Sequence, residues 1–120
     1  MFKIPEDPQI VFNTIVKHLL TQNKQSVDLS GKCVYKNHEG LKCAAGCLIP
    51  DGDYGVYMEG KPWSYLVRRD YVPFGSLKVL GIISDLQLIH DGNAPCQWRT
   101  KLRELAELKG LDTSVLSEFE

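Results

Sequence analysis

Helical apolar spacing at the two ends of this chain, and its absence in the middle, constrains the fold more than any other feature. After Asp7-Pro8, the residues Val11, Phe12, Ile15, Val16, Leu19 and Leu20 recur along one helix face, leaving Asn13, Lys17, Gln22 and Asn23 outside. Asp7 can accept a bond from an orphan amide and Pro8 has no amide to leave unpaired, so a helix is expected to begin there and run to about Gln22. After Gly75-Ser76, the residues Leu77, Leu80, Ile83, Leu86 and Ile89 are spaced by three and stay near one face. They predict a central helix that breaks at His90-Asp91-Gly92-Asn93. Asn93-Ala94-Pro95 restarts the chain as a capped helix with Trp98, Leu102, Leu105 and Leu108 inward, stopped by Gly110.

The middle has no such period. Asn23 to Lys32 reads as a polar connection. Cys33, Val34 and Tyr35 are strand-type residues, and the turn-rich Lys36-Asn37-His38-Glu39-Gly40 that follows suggests a short β-hairpin. The small residues Ala44, Ala45 and Gly46 let backbones approach closely, so a short helix is expected to pack on the hairpin before the turn at Pro50-Asp51-Gly52-Asp53. Pro62 can open a further short helix with Trp63, Leu66 and Val67 inward. The expected class is therefore α+β: a predominantly helical single globular domain over residues 1–120 with a small β-hairpin.

Charge and composition exclude several functions. Lys and Arg number 14 against 15 Asp and Glu, so no global field draws the chain onto nucleic acid non-specifically. The most apolar later stretch, Leu77 to Ile89, carries Lys78, Ser84, Asp85 and Gln87 and is too short to cross a bilayer, so no membrane association is expected. Met1 to Gln9 lacks the basic start and apolar run of a signal peptide, which points to the cytoplasm and to four reduced cysteines.

Several constellations could carry chemistry. Cys33, His38, Cys43 and Cys47 have the composition of a zinc site, but only Cys43 and Cys47 are as close as a zinc knuckle needs, and buried reduced cysteine is a common apolar filler. No metal and no cofactor is expected on that ground. Cys43 or Cys47 with His90 and Asp91 makes an inventory for a cysteine-dependent hydrolase or transferase, with His90 as base, though no protease or redox motif accompanies it. The acidic and aromatic run Asp51, Asp53, Tyr54, Tyr57, Met58 and Glu59 suits a sugar, a base or a peptide, and lacks the order of a calcium loop. At the junction of the last two helices, His90 and Asp91 either contact a ligand or satisfy helix ends. There is no phosphate-binding loop of the Walker type and no dinucleotide fingerprint.

The run Cys33-Val-Tyr35, Gly40, Cys43-Ala44-Ala45-Gly46-Cys47-Leu-Ile-Pro-Asp51, Tyr54 and Met58-Glu59-Gly60 resembles short accessory proteins encoded by tailed bacteriophages and prophages. Leu86-Gln-x-Ile-His90-Asp91 and Trp98-x3-Leu102-x2-Leu105-Ala106 are also similar to that family. The resemblance implies a viral protein acting in the host-cell cytoplasm, where it inhibits a host function such as antiviral defence by sequestering a nucleotide-like small molecule or masking a host protein. Binding without catalysis is the leading expectation, with Tyr35, Cys43, Cys47, Asp51, Tyr54, Glu59, His90 and Asp91 as ligand-binding candidates. The alternatives are the Cys/His enzyme and a zinc-stabilised interaction module, and a homo-oligomer is compatible with each.

Overall fold

The structure, a computed structural model, describes residues 1–119. Four α-helices carry the core: α1 (Pro8–Gln22), α2 (Trp63–Arg68), α3 (Leu77–Gly92) and α4 (Pro95–Lys109). Single 3-10 turns at Gly46–Leu48, Asp51–Asp53 and Val56–Met58 punctuate the middle, and a longer 3-10 segment, Ser114–Phe119, closes the described chain.

The Asp7 side chain caps α1 by accepting from the Gln9 amide at 2.9 Å, with Pro8 in the first turn. At the other end Asn23 adopts the left-handed conformation and donates its amide to the Leu19 carbonyl. Val11, Phe12, Ile15, Val16 and Leu19 are fully buried, as the spacing predicts. This face packs on α3, on α4 and on the 3-10 segment at 114–119, while α2 packs on α3. That last segment contributes Val115 and Leu116 to the core.

Two expectations about the later helices are corrected. α3 does not break at His90 but continues through Gly92, and its buried residues are Val79, Ile82, Ile83, Leu86 and His90. Leu77 is 77% exposed, and Leu80 and Ile89 are only half-buried, so the inward face is rotated from the predicted one. In α4, Trp98, Leu102 and Leu105 are buried as expected, but Leu108 is 79% exposed and Ala106 takes the inward place. Gly110 ends α4 with φ of 69°, the left-handed stop that its position suggests.

The β-hairpin is overturned. The described residues contain no β-strand, only the isolated antiparallel bridges Val27↔Cys33 and Lys36↔Lys42, so the domain is helical rather than α+β. The physical reason lies in where the backbone bonds of the extended segment go. The amides of Tyr35 and Lys36 donate to the Glu59 carboxylate at 2.8 and 3.2 Å instead of to a partner strand. The turns on either side are likewise held by side chains. Asp28 Oδ1 accepts from the Ser30 and Lys32 amides, and Asn37 Oδ1 from those of Glu39 and Leu41. Backbone bonds remain from Val34 to Ser26 and from Cys43 to Tyr35, but with the Tyr35, Lys36 and turn amides held by side chains they do not extend into a ladder.

The middle is clamped to α1 at Lys42. Its carbonyl accepts from His18 Nε2 and Gln22 Nε2, both at 2.8 Å, and its amide donates to Gln22 Oε1 at 3.0 Å. Burial, helped by the nearby Lys42 charge, lowers the His18 pKa below the ordinary 6.5, against the opposing pull of the Lys42 carbonyl. The unfolded chain therefore takes up the proton first, and stability contributed by His18 is present above about pH 6.5 and falls as the pH drops from there toward the folded value. Urea midpoints measured between pH 7 and 5 are expected to decline in this window. His18→Gln, which can still donate to Lys42, should show a shallower decline; parallel curves would remove His18 as the cause.

Candidate functional site

A cleft of about 420 Å³ opens where three pieces of chain meet: residues 32–35, residues 59–63, and the outer side of α3 at Ser84, Gln87, Leu88 and Asp91. Of the eight residues singled out from sequence, Tyr35, Cys43, Glu59 and Asp91 line it. Tyr54 lies in a neighbouring hollow and meets the cleft only through Glu59, its hydroxyl donating to Glu59 Oε2 at 2.7 Å. Asp51 faces elsewhere, accepting from Lys36 and Lys42 at 3.1 and 2.9 Å. Cys47 does not border the cleft, and its thiol donates to the Ala44 carbonyl.

Glu59 is the knot that ties the cleft walls. Its two oxygens receive the Tyr35 and Lys36 amides, from more than twenty residues away, and the Tyr54 hydroxyl from the turn just before it. Tyr35 completes the wall by donating its hydroxyl to the Lys61 carbonyl, and its ring lies 6.3 Å from that of Trp63. Burial pushes the phenol pKa of both Tyr35 and Tyr54 upward, so both remain protonated donors.

The other wall is organised by Asp91. Its Oδ1 accepts from Gln87 Nε2 at 2.8 Å and lies 2.7 Å from His90 Nδ1. The Ser26 amide donates to His90 Nε2 at 3.0 Å, so Nε2 is the bare nitrogen and Nδ1 carries the proton that Asp91 receives. His90 is completely buried and stacked on Trp98, with ring centres 5.4 Å apart. Around it Gln25 Nε2 donates to the carbonyls of His90 and Asn93, and Trp98 Nε1 donates to Asn93. His90 thus touches the cleft only through Asp91, and both of its nitrogens are engaged within the protein.

The thiols are similarly occupied. The Cys33 thiol lies within 4.8 Å of Asp91, and burial followed by the Asp91 charge raises its pKa to about 11. Burial lifts Cys47 to about 12 and Cys43 higher still, and Cys43 Sγ accepts from the Gly46 amide at 3.2 Å. None of these three offers a thiolate near neutral pH, and His90 has no free nitrogen with which to make one. Under mild iodoacetamide at pH 7.5, Cys33, Cys43 and Cys47 of the folded protein are expected to react more slowly than a free thiol, leaving exposed Cys96 as the labelled position. Rapid, stoichiometric labelling of Cys33, seen by peptide mapping, would contradict this account.

The zinc arrangement suggested by Cys33, His38, Cys43 and Cys47 does not assemble. His38 sits in an exposed turn beside Glu39, and the cluster of metal-type donors found among the described residues is instead Cys33, His90 and Asp91, with donor atoms within 4.8 Å. That cluster also fits a metal poorly, because Nδ1 would have to lose its proton while Nε2 still accepts from Ser26, leaving an imidazolate.

Comparison with protein-family models, curated proteins and solved structures finds no match. The functional reading therefore stands on the site itself. Sequence inspection left Lys32, Lys61, Trp63 and Gln87 off the site, although all line the cleft. Gln87 lies within the Leu86-Gln-x-Ile-His90-Asp91 motif and Trp63 beside Pro62, whereas the two lysines carry no sequence signal beyond their charge.

Proposed function

We propose that this protein is a binding protein without turnover, of the accessory type its phage-like motifs suggest, which captures a nucleotide-like small molecule in the cleft between Glu59 and Asp91. The observation that carries this reading is a formed cleft beside which the thiols and the histidine are engaged internally. The Cys33 thiol is held protonated against Asp91, and His90, the candidate base, is locked between Ser26 and Asp91. Such a wall can hold a ligand, but it contains neither an activated nucleophile nor a poised base. Capture of this kind would inhibit a host function by lowering the free concentration of the ligand in the host cytoplasm.

The test is native mass spectrometry of protein purified from cells that express it, set beside a Ser84→Trp variant. Ser84 is half-buried on α3 at the cleft, and an indole there would take up space in it while leaving the Glu59 side chain itself unchanged. A discrete added mass on the natural chain, lost on denaturation and missing from a Ser84→Trp protein of unchanged circular dichroism, is the expected result. Bare masses for both, or equal retention by both, would overturn capture in this cleft and leave masking of a host protein as the function to pursue.

A further inference from the structure

The outward side of α3 carries a pattern of its own, separate from the one that builds the core. Leu77, Gly81, Ser84 and Leu88 follow at steps of four, three and four, the spacing with which one helix meets another, and Lys78 and Asp85 stand along one edge of that seam. Leu77 and Leu88 are 77% and 69% exposed, so the seam is uncovered at both ends. Its middle is bare. Glycine weakens a helix interior relative to alanine, yet Gly81 is not among the residues with positive φ, and nothing lies within 4 Å of where its Cβ would stand. Nothing within the chain calls for a glycine there, whereas close approach by a body outside the chain does. The charges beside it are also open to a partner. Lys78 forms no ion pair among the described residues, and Asp85, though 3.5 Å from Lys109, keeps a side chain that is 36% exposed. Two helical turns, about 10 Å, hold Lys78 and Asp85 apart within one chain.

We propose that this seam is the contact between two copies of the chain, paired through antiparallel α3 helices about a twofold axis. Reversing one helix sets Leu77 of each copy opposite Leu88 of the other and Gly81 opposite Ser84, so the leucines interlock at the ends while the small residues let the backbones close in the middle. The same register brings Lys78 level with Asp85 of the second copy, on the same edge, and makes two symmetric ion pairs. Asp85 then serves two ammonium groups, as Asp51 does with Lys36 and Lys42 at 3.1 and 2.9 Å. A parallel copy would turn each charged edge toward the side of the other helix that carries Leu80 and Gln87, and leave both charges unmatched. The pairing does not depend on ligand capture. Ser84 and Leu88 also line the cleft, so the helix of the second copy runs along the cleft's rim.

The test is sedimentation equilibrium of the purified chain from about 1 to 100 μM, beside variants at Lys78, Gly81 and Asp85, none of which lines the cleft. The natural chain is expected to reach twice its own mass with a dissociation constant on the micromolar scale, as suits an interface of one helix pair. Gly81→Gln puts a good helix former where the chain itself has room, so its circular dichroism should match the natural chain while dimerisation weakens at least roughly a hundredfold. K78E and D85K alone should each weaken it roughly tenfold, by turning two attractive pairs into two repulsive ones, and K78E/D85K should recover most of that loss. A natural chain that stays monomeric at about 100 μM would overturn the proposal and leave the seam to a helix of a different protein. A dimer unchanged by Gly81→Gln would overturn its place on α3, and a double charge variant no tighter than the single ones would overturn the antiparallel register.

Discussion

Replacing Gly46 with alanine should lower the unfolding free energy by about 3 kcal/mol or prevent folding altogether, as expected when overpacking meets backbone that cannot yield. A Cβ on Gly46 would stand 2.1 Å from the Tyr35 carbonyl oxygen and 2.8 Å from its carbonyl carbon. The Tyr35 peptide has nowhere to retreat. Its carbonyl accepts from the Cys43 amide at 3.3 Å, while the Tyr35 and Lys36 amides are fixed on Glu59. Gly46 is not among the residues with positive φ, so the cost is a steric one and not a conformational preference. Gly52→Ala is the matched control, because nothing lies within 4 Å of the added carbon and its φ is also unremarkable for an L residue. Urea titration should find Gly52→Ala within about 0.5 kcal/mol of the natural chain. If Gly46→Ala matched it, the close approach of these two segments would be wrong.

His90→Ala is expected to cost about 2–4 kcal/mol, combining a void beside Trp98 with an unpaired amide at Ser26. His90→Phe separates the two contributions, since it restores an aromatic ring on Trp98 but leaves the Ser26 amide unpaired and Asp91 with Gln87 alone of its two helix partners. It should recover part of the loss and no more. Asp91→Ala provides the contrast, because its side chain is 39% exposed and its removal leaves no comparable void. That variant should unfold closer to the natural midpoint than His90→Ala while disturbing the cleft directly. Chemical denaturation followed by tryptophan fluorescence reads all three. A His90→Ala protein as stable as the natural chain would show that the histidine is not the internal strut described here.

The candidate site was legible in proportion to how much of it depends on motif and how little on packing. Tyr35, Cys43, Glu59 and Asp91 fall in the motif runs and reach the cleft, but Cys47 and Asp51 fall in the same runs and do not. His90 illustrates the difficulty. A histidine beside an aspartate at a helix junction is compatible with a ligand contact, a catalytic base or a strut. Only the Ser26 amide, brought to it from 64 residues away in the chain, decides for the strut by occupying the second nitrogen. Lys32 and Lys61 reach the cleft only once folding sets residues 32–35 beside residues 59–63.

The fold divides along the same line. Local chemistry in the sequence determined α1 and α4, because Asp7-Pro8 and Gly110 act on their nearest amides and carbonyls and the apolar spacing placed all of the inward face but Leu108, where Ala106 stands instead. For α3 the sequence determined a helix but not its inward face. The segment is apolar on most sides, so packing against α1, α2 and α4 chose Val79, Ile82 and His90 over Leu77 and Ile89. The middle was decided almost wholly by tertiary structure. Cys33-Val34-Tyr35 has the composition of a strand, but a backbone amide is satisfied by any well-placed acceptor, and Glu59 supplies one from 24 residues away. Where a bond closes within one helical turn the sequence contains its partner, and where it closes across the chain the partner exists only after folding.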